Sequence, residues 1–441
     1  MNKQIKEIQY SLITGCITAV LVIIVFWCSG RFPGKDHIFL NGDFYQQYMQ
    51  YIRAFYHKLL HGESLVYSFE MSMGMPSWAS YAYESLSPFN IWFAFVSDVD
   101  TAAFLTVLSK LMVCGAFFCL CVGYILHTQP EISILLGCIY AFCGYNISYY
   151  FNVQYLDGVY LLPLLMFLLY RFVKNGRMAA LTAVYAYSFI VLFYSGYMLG
   201  VFSGLVWIVL MWYVFGKEKE KYLSCIPRFI FCVLTAVLIS AVVTLPTALF
   251  IRSHNPEDAT KFSGLSVSLA AFLEQFFPGH AQGVTGKIPA VYSGVLTLLT
   301  AACFLGGKKQ DRRKKIFALI VFCFLLLCTF FAPAYLLIHG FDAPDMSDFR
   351  FSYMYSFVML FIAAQILQET GTGEKGWLYA AGGWGGVALL CFAIQKGQSD
   401  PLKLELALAF LAVYAFLMYR GKEGRSRTII LAMMVTLELL L

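Results

Sequence analysis

Apolar stretches of about 20 residues recur along almost the whole chain, and this feature constrains the fold more than any other. A bilayer core is about 30 Å thick, so an α-helix needs about 20 apolar residues to cross it. The sequence therefore predicts an all-α polytopic membrane protein with about 12 or 13 transmembrane helices. We place the spans at residues 9–28, 101–126, 132–150, 156–172, 179–198, 199–215, 229–250, 289–306, 316–338, 350–368, 377–395 and 401–419, with a shorter apolar segment at 428–441.

The composition supports a membrane protein and argues against a disulfide framework. Only 13% of the 441 residues are charged, about half the level of a soluble protein. Nearly all of the 13 cysteines fall inside apolar segments, where a thiol behaves as a small apolar packing group. We treat residues 1–441 as one transmembrane domain.

The basic residues predict the orientation of the chain, because Lys and Arg favour cytoplasmic loops. With the N-terminus inside, 20 of the 31 basic residues lie inside and 10 outside, and Lys110 lies within a span. The basic runs are short and close to predicted spans, so we expect them to contact anionic membrane lipids and not nucleic acid. The protein should therefore be a multi-pass protein of the cell membrane with a cytoplasmic N-terminus.

Long polar segments then lie on the predicted outer side, at residues 31–100, 251–288 and 339–348. A transporter usually has short loops and places its ionisable groups in the middle of the membrane. Here most of the polar residues lie outside the spans, so we expect the functional chemistry at the outer surface.

The stretch DFYQQYMQYIRAFYHKLLHG, residues 43–62, predicts a helix lying in the interface plane. An apolar stripe follows helical spacing, and Gly62 is a suitable stop. The stripe consists of Phe44, Tyr48, Ile52, Phe55 and Leu59. Asp43 precedes this helix and Gln46 follows three residues later, as in a capping box. A cap is one role for Asp43, and a catalytic carboxylate is another.

Several ordered stretches make the chain resemble the bacterial YfhO family, multi-pass membrane proteins related to glycosyltransferases of the GT-C fold. The stretches are GDFYQQY, MSMGMPSWASYAYESLSPFNIW, YLDGVYLLPLL, FYSGYMLGVFSGL, PAVYSGVLTLL, RFSYMYSF and the final TLELLL. The resemblance implies transfer of a sugar from a polyprenyl-phosphate carrier to an envelope glycopolymer, such as lipoteichoic acid, on the outer face. It also implies a GT-C-like helix bundle that is truncated at its C-terminus relative to the family. In GT-C enzymes an acidic residue of the first outer loop is the base, and Asp43 is the matching position.

The chemistry of such a transfer needs few residues. A carboxylate can accept the proton of the attacking hydroxyl, and a cation can stabilise the departing phosphate. We expect Asp43 to be the base, in a hydrated pocket at headgroup depth, within a few ångströms of a cation. Gln46, Gln47 and Tyr48 are its predicted neighbours.

Arg350, at the outer end of a span, is the first candidate for the phosphate contact, with a snorkelling helix anchor as its alternative. Lys110 is a second candidate. Asp157 could pair with Lys110, bind the acceptor or cap its helix. Arg252 is a third cation.

Other polar groups allow additional interpretations. His57 and His61 have a spacing that can bind metal, but we favour a solvated helix face, because no Glu accompanies them in the HExxH pattern. Asp342, Asp345 and Asp348 could hold a divalent cation or form a solvated acidic loop, and His280 lies in a Gly- and Pro-containing loop. We assign no metal site. The sequence leaves two other functions open: a transporter or flippase of a lipid-linked sugar, and a non-catalytic partner in envelope assembly.

Overall fold

The computed structural model describes residues 3–71, 73–254, 267–279, 287–307, 310–344, 346–369, 375–394, 401–420 and 425–440. Over these residues the protein is an all-α polytopic membrane protein, as predicted, with a single pair of two-residue strands. The helices are α1 (Lys3–Cys28), α2 (Met49–His61), α3 (Trp78–Glu84), α4 (Trp92–Phe95), α5 (Val99–Leu126), α6 (Pro130–Ala141), α7 (Gly144–Tyr149), α8 (Leu156–Asn175), α9 (Ala179–Val191), α10 (Phe193–Phe215), α11 (Lys219–His254), α12 (Leu269–Glu274), α13 (Val295–Gly306), α14 (Arg312–Phe330), α15 (Ala332–Ile338), α16 (Tyr353–Glu369), α17 (Gly376–Ile394), α18 (Pro401–Arg420) and α19 (Arg425–Leu440).

Within the described residues, 8 helices are long and apolar enough to cross a membrane. The number is 9 if α14 and α15, which meet at an angle of 102°, count as one span. Three further apolar helices are shorter, namely α9, α13 and residues 429–439 of α19. The predicted 12 or 13 full spans therefore overstate the number of long helices, because several apolar segments contain a break.

Two of these breaks can be traced to particular residues. The backbone of Leu192 is extended, with φ −163° and ψ 95°, so the predicted boundary at residues 198 and 199 lies instead between α9 and α10. The predicted span 289–306 begins as a helix only at Val295, after Gly294, whose φ is +89°. Glu438 of α19 caps this helix, since its carboxylate accepts a hydrogen bond from the Val295 amide at 2.6 Å.

Close packing of small residues holds α1, α5 and α6 together. A Cβ atom built on Gly137 would lie 2.6 Å from the carbonyl oxygen of Gly115. The Ser11 hydroxyl of α1 donates to the Ala116 carbonyl of α5 at 2.7 Å. Small residues at such crossings allow backbones to approach closely, which is how helices associate in a bilayer. This packing fixes α5, which carries Lys110. None of the 13 cysteines, all of which the structure describes, forms a disulfide, and 9 are buried, as the packing interpretation predicts.

The polar connections collect at two opposite ends of the bundle. At one end, which we call the basic end, the Gln129 amide donates to Gln368 at 2.9 Å and Lys314 pairs with Glu369 at 2.6 Å. At the other, the Asp43 end, residues 29–98 contact the starts of α5, α8 and α16. The charge distribution predicts that the Asp43 end faces the outside.

Residues 29–98 form a layer of short elements over the Asp43 end. A π-turn at Phe44–Tyr48 leads into α2, and Gly62 ends this helix in the left-handed conformation, with φ +68°. Strands β1 (Tyr67–Ser68) and β2 (Met75–Pro76) pair antiparallel, with Tyr67 opposite Pro76. The layer continues through α3, a 3₁₀ turn at Pro88–Ile91, and α4.

The predicted apolar stripe of α2 is confirmed except at its last position. Phe44, Tyr48, Ile52 and Phe55 are buried, whereas Leu59 is 52% exposed. The preceding residue, Lys58, is buried instead, with its ammonium 3.2 Å from Glu63.

Candidate functional site

Asp43 lies directly before the π-turn, and its side chain does not cap a helix. Its backbone is already in the right-handed helical region, with φ −63° and ψ −24°, whereas a cap residue needs an extended backbone. The predicted capping box is therefore wrong. Carboxylate oxygen Oδ2 instead accepts a hydrogen bond from the Tyr48 hydroxyl at 3.3 Å. Asp43 is partly exposed, so its carboxylate is accessible to a ligand.

Tyr48 connects Asp43 to the turn between α7 and α8. Its hydroxyl also lies 3.1 Å from Oδ1 of Asn152. One phenolic proton serves two acceptors, and both contacts are longer than the usual 2.7–2.8 Å of an O–H···O bond. Burial raises the pKa of the Tyr48 phenol, so Tyr48 stays protonated and donates. Gln46 and Gln47 are exposed, and only Tyr48 of the three predicted neighbours hydrogen-bonds Asp43 among the described contacts.

Glu84, at the end of α3, is a member of this site that the sequence did not reveal. Gln47 Nε2 donates to its Oε1, and only 4% of the residue is exposed. Oxygen Oε2 is buried with no hydrogen-bond partner among the described residues. Burial, with a smaller contribution from the negative charge of Asp43, raises the pKa of Glu84 to about 8. Glu84 is therefore mostly neutral at pH 7, unlike an exposed glutamate.

This shift predicts how stability depends on pH. The pKa of Glu84 in the folded state lies above the ordinary value of 4.5, so the stability gained from its neutral form is complete below pH 4.5 and is lost as the pH rises through about 8. The substitution Glu84→Gln removes this pH-dependent loss of stability. The free energy of unfolding of the variant should rise relative to that of the parent as the pH increases from 5 to 8, by at most about 1.4 kcal/mol per pH unit. Its melting temperature in detergent should rise relative to the parent over the same range.

Glu70→Gln is the matched control, because Glu70 lies in the same layer but is exposed. Its melting temperature should stay parallel to that of the parent over this range. Parallel curves for Glu84→Gln would show that Glu84 is ionised in the folded protein.

Lys110 and Asp157 form a buried ion pair between α5 and α8. The Lys110 ammonium lies 2.8 Å from Asp157 Oδ2, and the two side chains are 0% and 1% exposed. Lys110 also donates to the Val153 carbonyl at 2.9 Å. Ser87 and Tyr160 donate to the other Asp157 oxygen, at 2.7 and 2.8 Å. The pair is internally satisfied, so of the alternatives left open for Lys110 and Asp157 the structure favours mutual pairing over contact with substrate.

Arg350 precedes α16 at the Asp43 end, and three tyrosines surround its guanidinium. The guanidinium carbon lies 5.1 Å from the ring centroids of both Tyr155 and Tyr194. One terminal nitrogen donates to the Met346 carbonyl at 3.0 Å, and the other lies 3.5 Å from the Tyr83 hydroxyl. Nε is buried without a partner among the described residues. No carboxylate in the described part of the chain forms an ion pair with Arg350.

Asp43 and Arg350 belong to one polar cluster, but they are not in direct contact. Tyr155 lies against Arg350, shares a hydrogen bond of 2.9 Å with Tyr83, and is electrostatically coupled to Tyr48, the partner of Asp43. No described cation forms an ion pair with Asp43 within 4.0 Å, so the expectation of a cation within a few ångströms of Asp43 stays a prediction.

The expected hollow beside Asp43 is also absent from the larger cavities that the described residues form. Cavities of about 510, 340 and 280 Å³ lie at the basic end, and one of about 220 Å³, lined by Arg53 and by residues of the segment 93–99, lies in the layer at the Asp43 end. Asp43 lines none of these four cavities.

Of the remaining polar candidates, Asp348 interacts electrostatically with Arg350 and Asp342 with Tyr194, although neither forms an ion pair within 4.0 Å. His57 and His61 stack on each other with ring centroids 4.3 Å apart, and both are exposed. Asp342 is exposed, Asp348 is half-buried, and Arg252 is exposed at the end of α11. Asp345 and His280 lie outside the described residues. Among the described residues no three His, Cys, Asp or Glu side chains are grouped so as to hold a metal ion.

Comparison with known protein families assigns this chain to one of them. The family model described as "Bacterial membrane protein YfhO" matches residues 15–441, which is nearly the whole chain. The chain belongs to the YfhO family. No curated protein and no solved structure matches it. The matched region of this YfhO-family chain includes Asp43, Glu84 and Arg350. The family description identifies a bacterial membrane protein and names no activity.

The residues that the sequence did not reveal lie within the stretches that carried the resemblance. Tyr83 and Glu84 are part of YAYES, Tyr155 begins YLDGVY, and Tyr194 is the second residue of FYSGY. Only the folded chain brings these three YfhO-family stretches to one guanidinium. A concentration of tyrosines in separate polar stretches was the available signal, and it is also typical of an interfacial aromatic belt.

Proposed function

We propose that this YfhO-family protein is an inverting glycosyltransferase. It would move a sugar from a polyprenyl-phosphate carrier to a hydroxyl of an envelope glycopolymer such as lipoteichoic acid, at the Asp43 end of the bundle. The observation that carries the proposal is the unpaired guanidinium of Arg350, in one polar cluster with the accessible carboxylate of Asp43.

Arg350 has the properties of an anion site. Arg350 is half-buried, and its Nε is buried without a partner among the described residues. Asp348 interacts with it electrostatically, but no described carboxylate lies within ion-pair distance, so the guanidinium can still bind an anion. The planar fork of Arg suits a phosphate, to which it can donate two hydrogen bonds. The contact with Tyr83, at 3.5 Å, is weak, so a phosphate oxygen could replace it at little cost.

The reaction balances with these two groups. The acceptor hydroxyl attacks C1 of the sugar, and its proton passes to Asp43. A new bond forms between C1 and the acceptor oxygen while the bond between C1 and the phosphate oxygen breaks, and the phosphate leaves with the electron pair. Arg350 stabilises the charge on the departing phosphate. Phosphate is a weak base, so no acid needs to protonate it, and one displacement inverts C1.

Tyr48 and Tyr155 have positioning roles in this scheme. Tyr48 donates to Asp43 and holds the carboxylate toward the cluster. Tyr155 lies against the Arg350 guanidinium, and in this scheme the sugar packs beside its ring. Because Asp43 and Arg350 are not in contact, the sugar phosphate must extend from one to the other.

The direct test uses purified protein in liposomes with a radiolabelled polyprenyl-phosphate sugar and a glycopolymer acceptor. The proposal predicts time-dependent transfer of label to the acceptor. Movement of the donor across the bilayer without transfer would support a flippase instead. Neither transfer nor movement, with intact folding, would support a non-catalytic envelope-assembly partner.

Substitution of Arg350 should weaken use of the donor. A hydrogen bond to a charged group contributes about 1.5–3 kcal/mol, so Arg350→Gln should lower kcat/KM for the donor by roughly 10- to 150-fold. Arg350→Lys should recover only part of the loss, because an ammonium lacks the planar fork and stacks less well on tyrosine. Steady-state kinetics with varied donor measure both effects.

Arg31→Gln is the matched control for this series. Arg31 also lies at the Asp43 end and donates to a tyrosine, Tyr150, at 3.2 Å, but it is not part of the cluster around Arg350. Its kcat/KM should stay within about 2-fold of the parent. Equal losses in Arg31→Gln and Arg350→Gln would contradict a phosphate contact at Arg350.

A further inference from the structure

A separate cavity of about 280 Å³ lies at the basic end, away from Asp43 and Arg350. Six helices, α5, α8, α10, α13, α14 and α16, line it. Its walls are apolar side chains such as Phe202, Val206 and Leu210 of α10, and these three are buried. Its polar residues include Lys314, Gln365, Gln368 and Glu369, which lie toward the basic end. The cavity is therefore apolar along most of its length and polar near the basic end.

The length of the cavity fits a lipid chain. On α10 its lining residues run from Phe202 to Tyr213, which is about 16 Å at 1.5 Å per residue. One half of a hydrocarbon core of about 30 Å is about 15 Å deep. An extended acyl chain of a single leaflet would therefore fit between the basic end and the middle of the bundle.

The mouth carries excess positive charge. Glu369 is already paired with Lys314, at 2.6 Å, and Asp311 caps α14 by accepting from the Arg313 amide at 2.9 Å. The first turn of α14 reads RRKK, and the Lys174 ammonium lies 5.8 Å from the ring centroid of Tyr170, which lines the cavity. Basic residues at a membrane surface attract anionic headgroups.

We propose that this cavity binds one acyl chain of an anionic phospholipid, with the headgroup phosphate at the first turn of α14. The apolar walls accommodate the chain, and the basic mouth selects the charge of the headgroup. The charge distribution predicts that this end faces the cytoplasm, so the lipid comes from the inner leaflet. This site is independent of the proposed transferase site, because none of its residues belongs to the cluster around Arg350.

The experiment uses full-length protein in mild detergent, incubated with phosphatidylglycerol or phosphatidylcholine and examined by native mass spectrometry. Leu210→Trp fills the cavity. Ile208→Trp is the matched control on the same helix, because Ile208 is 56% exposed and does not line the cavity. We expect one retained phosphatidylglycerol on the parent and on Ile208→Trp, and at least a 10-fold smaller bound fraction on Leu210→Trp.

Two results would overturn the proposal. Retention by Leu210→Trp equal to that of the parent would show that the lipid binds elsewhere. Retention of phosphatidylcholine equal to that of phosphatidylglycerol would show that the basic mouth does not select the charge of the headgroup. If Leu210→Trp is not monodisperse, Ala318→Leu fills the same cavity with a smaller side chain, and the same criteria apply to it.

Discussion

Asp43→Asn should abolish sugar transfer while leaving the protein folded. A carboxamide keeps the shape of the side chain and can still accept the hydrogen bond from Tyr48, but it cannot take the proton of the attacking hydroxyl. General base catalysis contributes about 10²- to 10⁴-fold to a rate, so kcat should fall by that factor. Transfer of radiolabel in liposomes measures the loss, and the melting temperature confirms folding.

Two further variants test whether the loss of rate is specific to the carboxylate of Asp43. Asp36→Asn changes an exposed aspartate of the same layer and should keep the parent rate. Tyr48→Phe removes the hydrogen bond to Asp43 but leaves the carboxylate, so its loss of rate should be clearly smaller than that of Asp43→Asn. If Asp43→Asn transfers sugar at the parent rate, Asp43 is not the base.

The second large effect concerns stability. Removing one partner of a buried ion pair leaves the other charge unpaired and costs about 3–5 kcal/mol. Lys110→Met should therefore lower the melting temperature strongly, and Asp157→Asn should do the same. Asp157 also binds Ser87 at 2.7 Å, so its loss should loosen the layer that holds Tyr83 and Glu84. Thermal melting followed by size-exclusion chromatography measures the fraction of intact protein.

The double variant Lys110→Met with Asp157→Leu removes both charges and should recover part of the lost stability. Lys221→Met is the matched control, because Lys221 is also ion-paired, with Glu218 at 2.7 Å, but is 55% exposed. An exposed pair contributes at most about 1 kcal/mol. A melting temperature of Lys110→Met equal to that of Lys221→Met would contradict a structural role for the buried pair.

Hydropathy alone predicted the class of the fold because lipid leaves few alternatives for a spanning segment. It could not predict the breaks within apolar segments. Leu192 is as apolar as its neighbours, and its extended backbone depends on how α9 packs on α10. Similarly, the helix α13 starts late because Glu438, more than 140 residues away, supplies its cap.

Local sequence patterns were less reliable at the candidate site. Asp43 and Gln46 have the spacing of a capping box, but a π-turn starts there and its geometry places Asp43 inside the helical region. The pairing of Lys110 with Asp157 was one of several alternatives, and only the crossing of α5 with α8 selects it. The tyrosines around Arg350 come from three distant stretches, so no local spacing could reveal them.

The most direct test of the account is a structure of the protein with a donor analogue whose sugar is joined to the lipid phosphate by a bond that cannot be transferred. We expect phosphate oxygens about 2.7–3.2 Å from the Arg350 guanidinium nitrogens, with the sugar beside Tyr155 and facing Asp43. A phosphate bound elsewhere, with Arg350 and Asp43 both free of ligand, would contradict the proposed site.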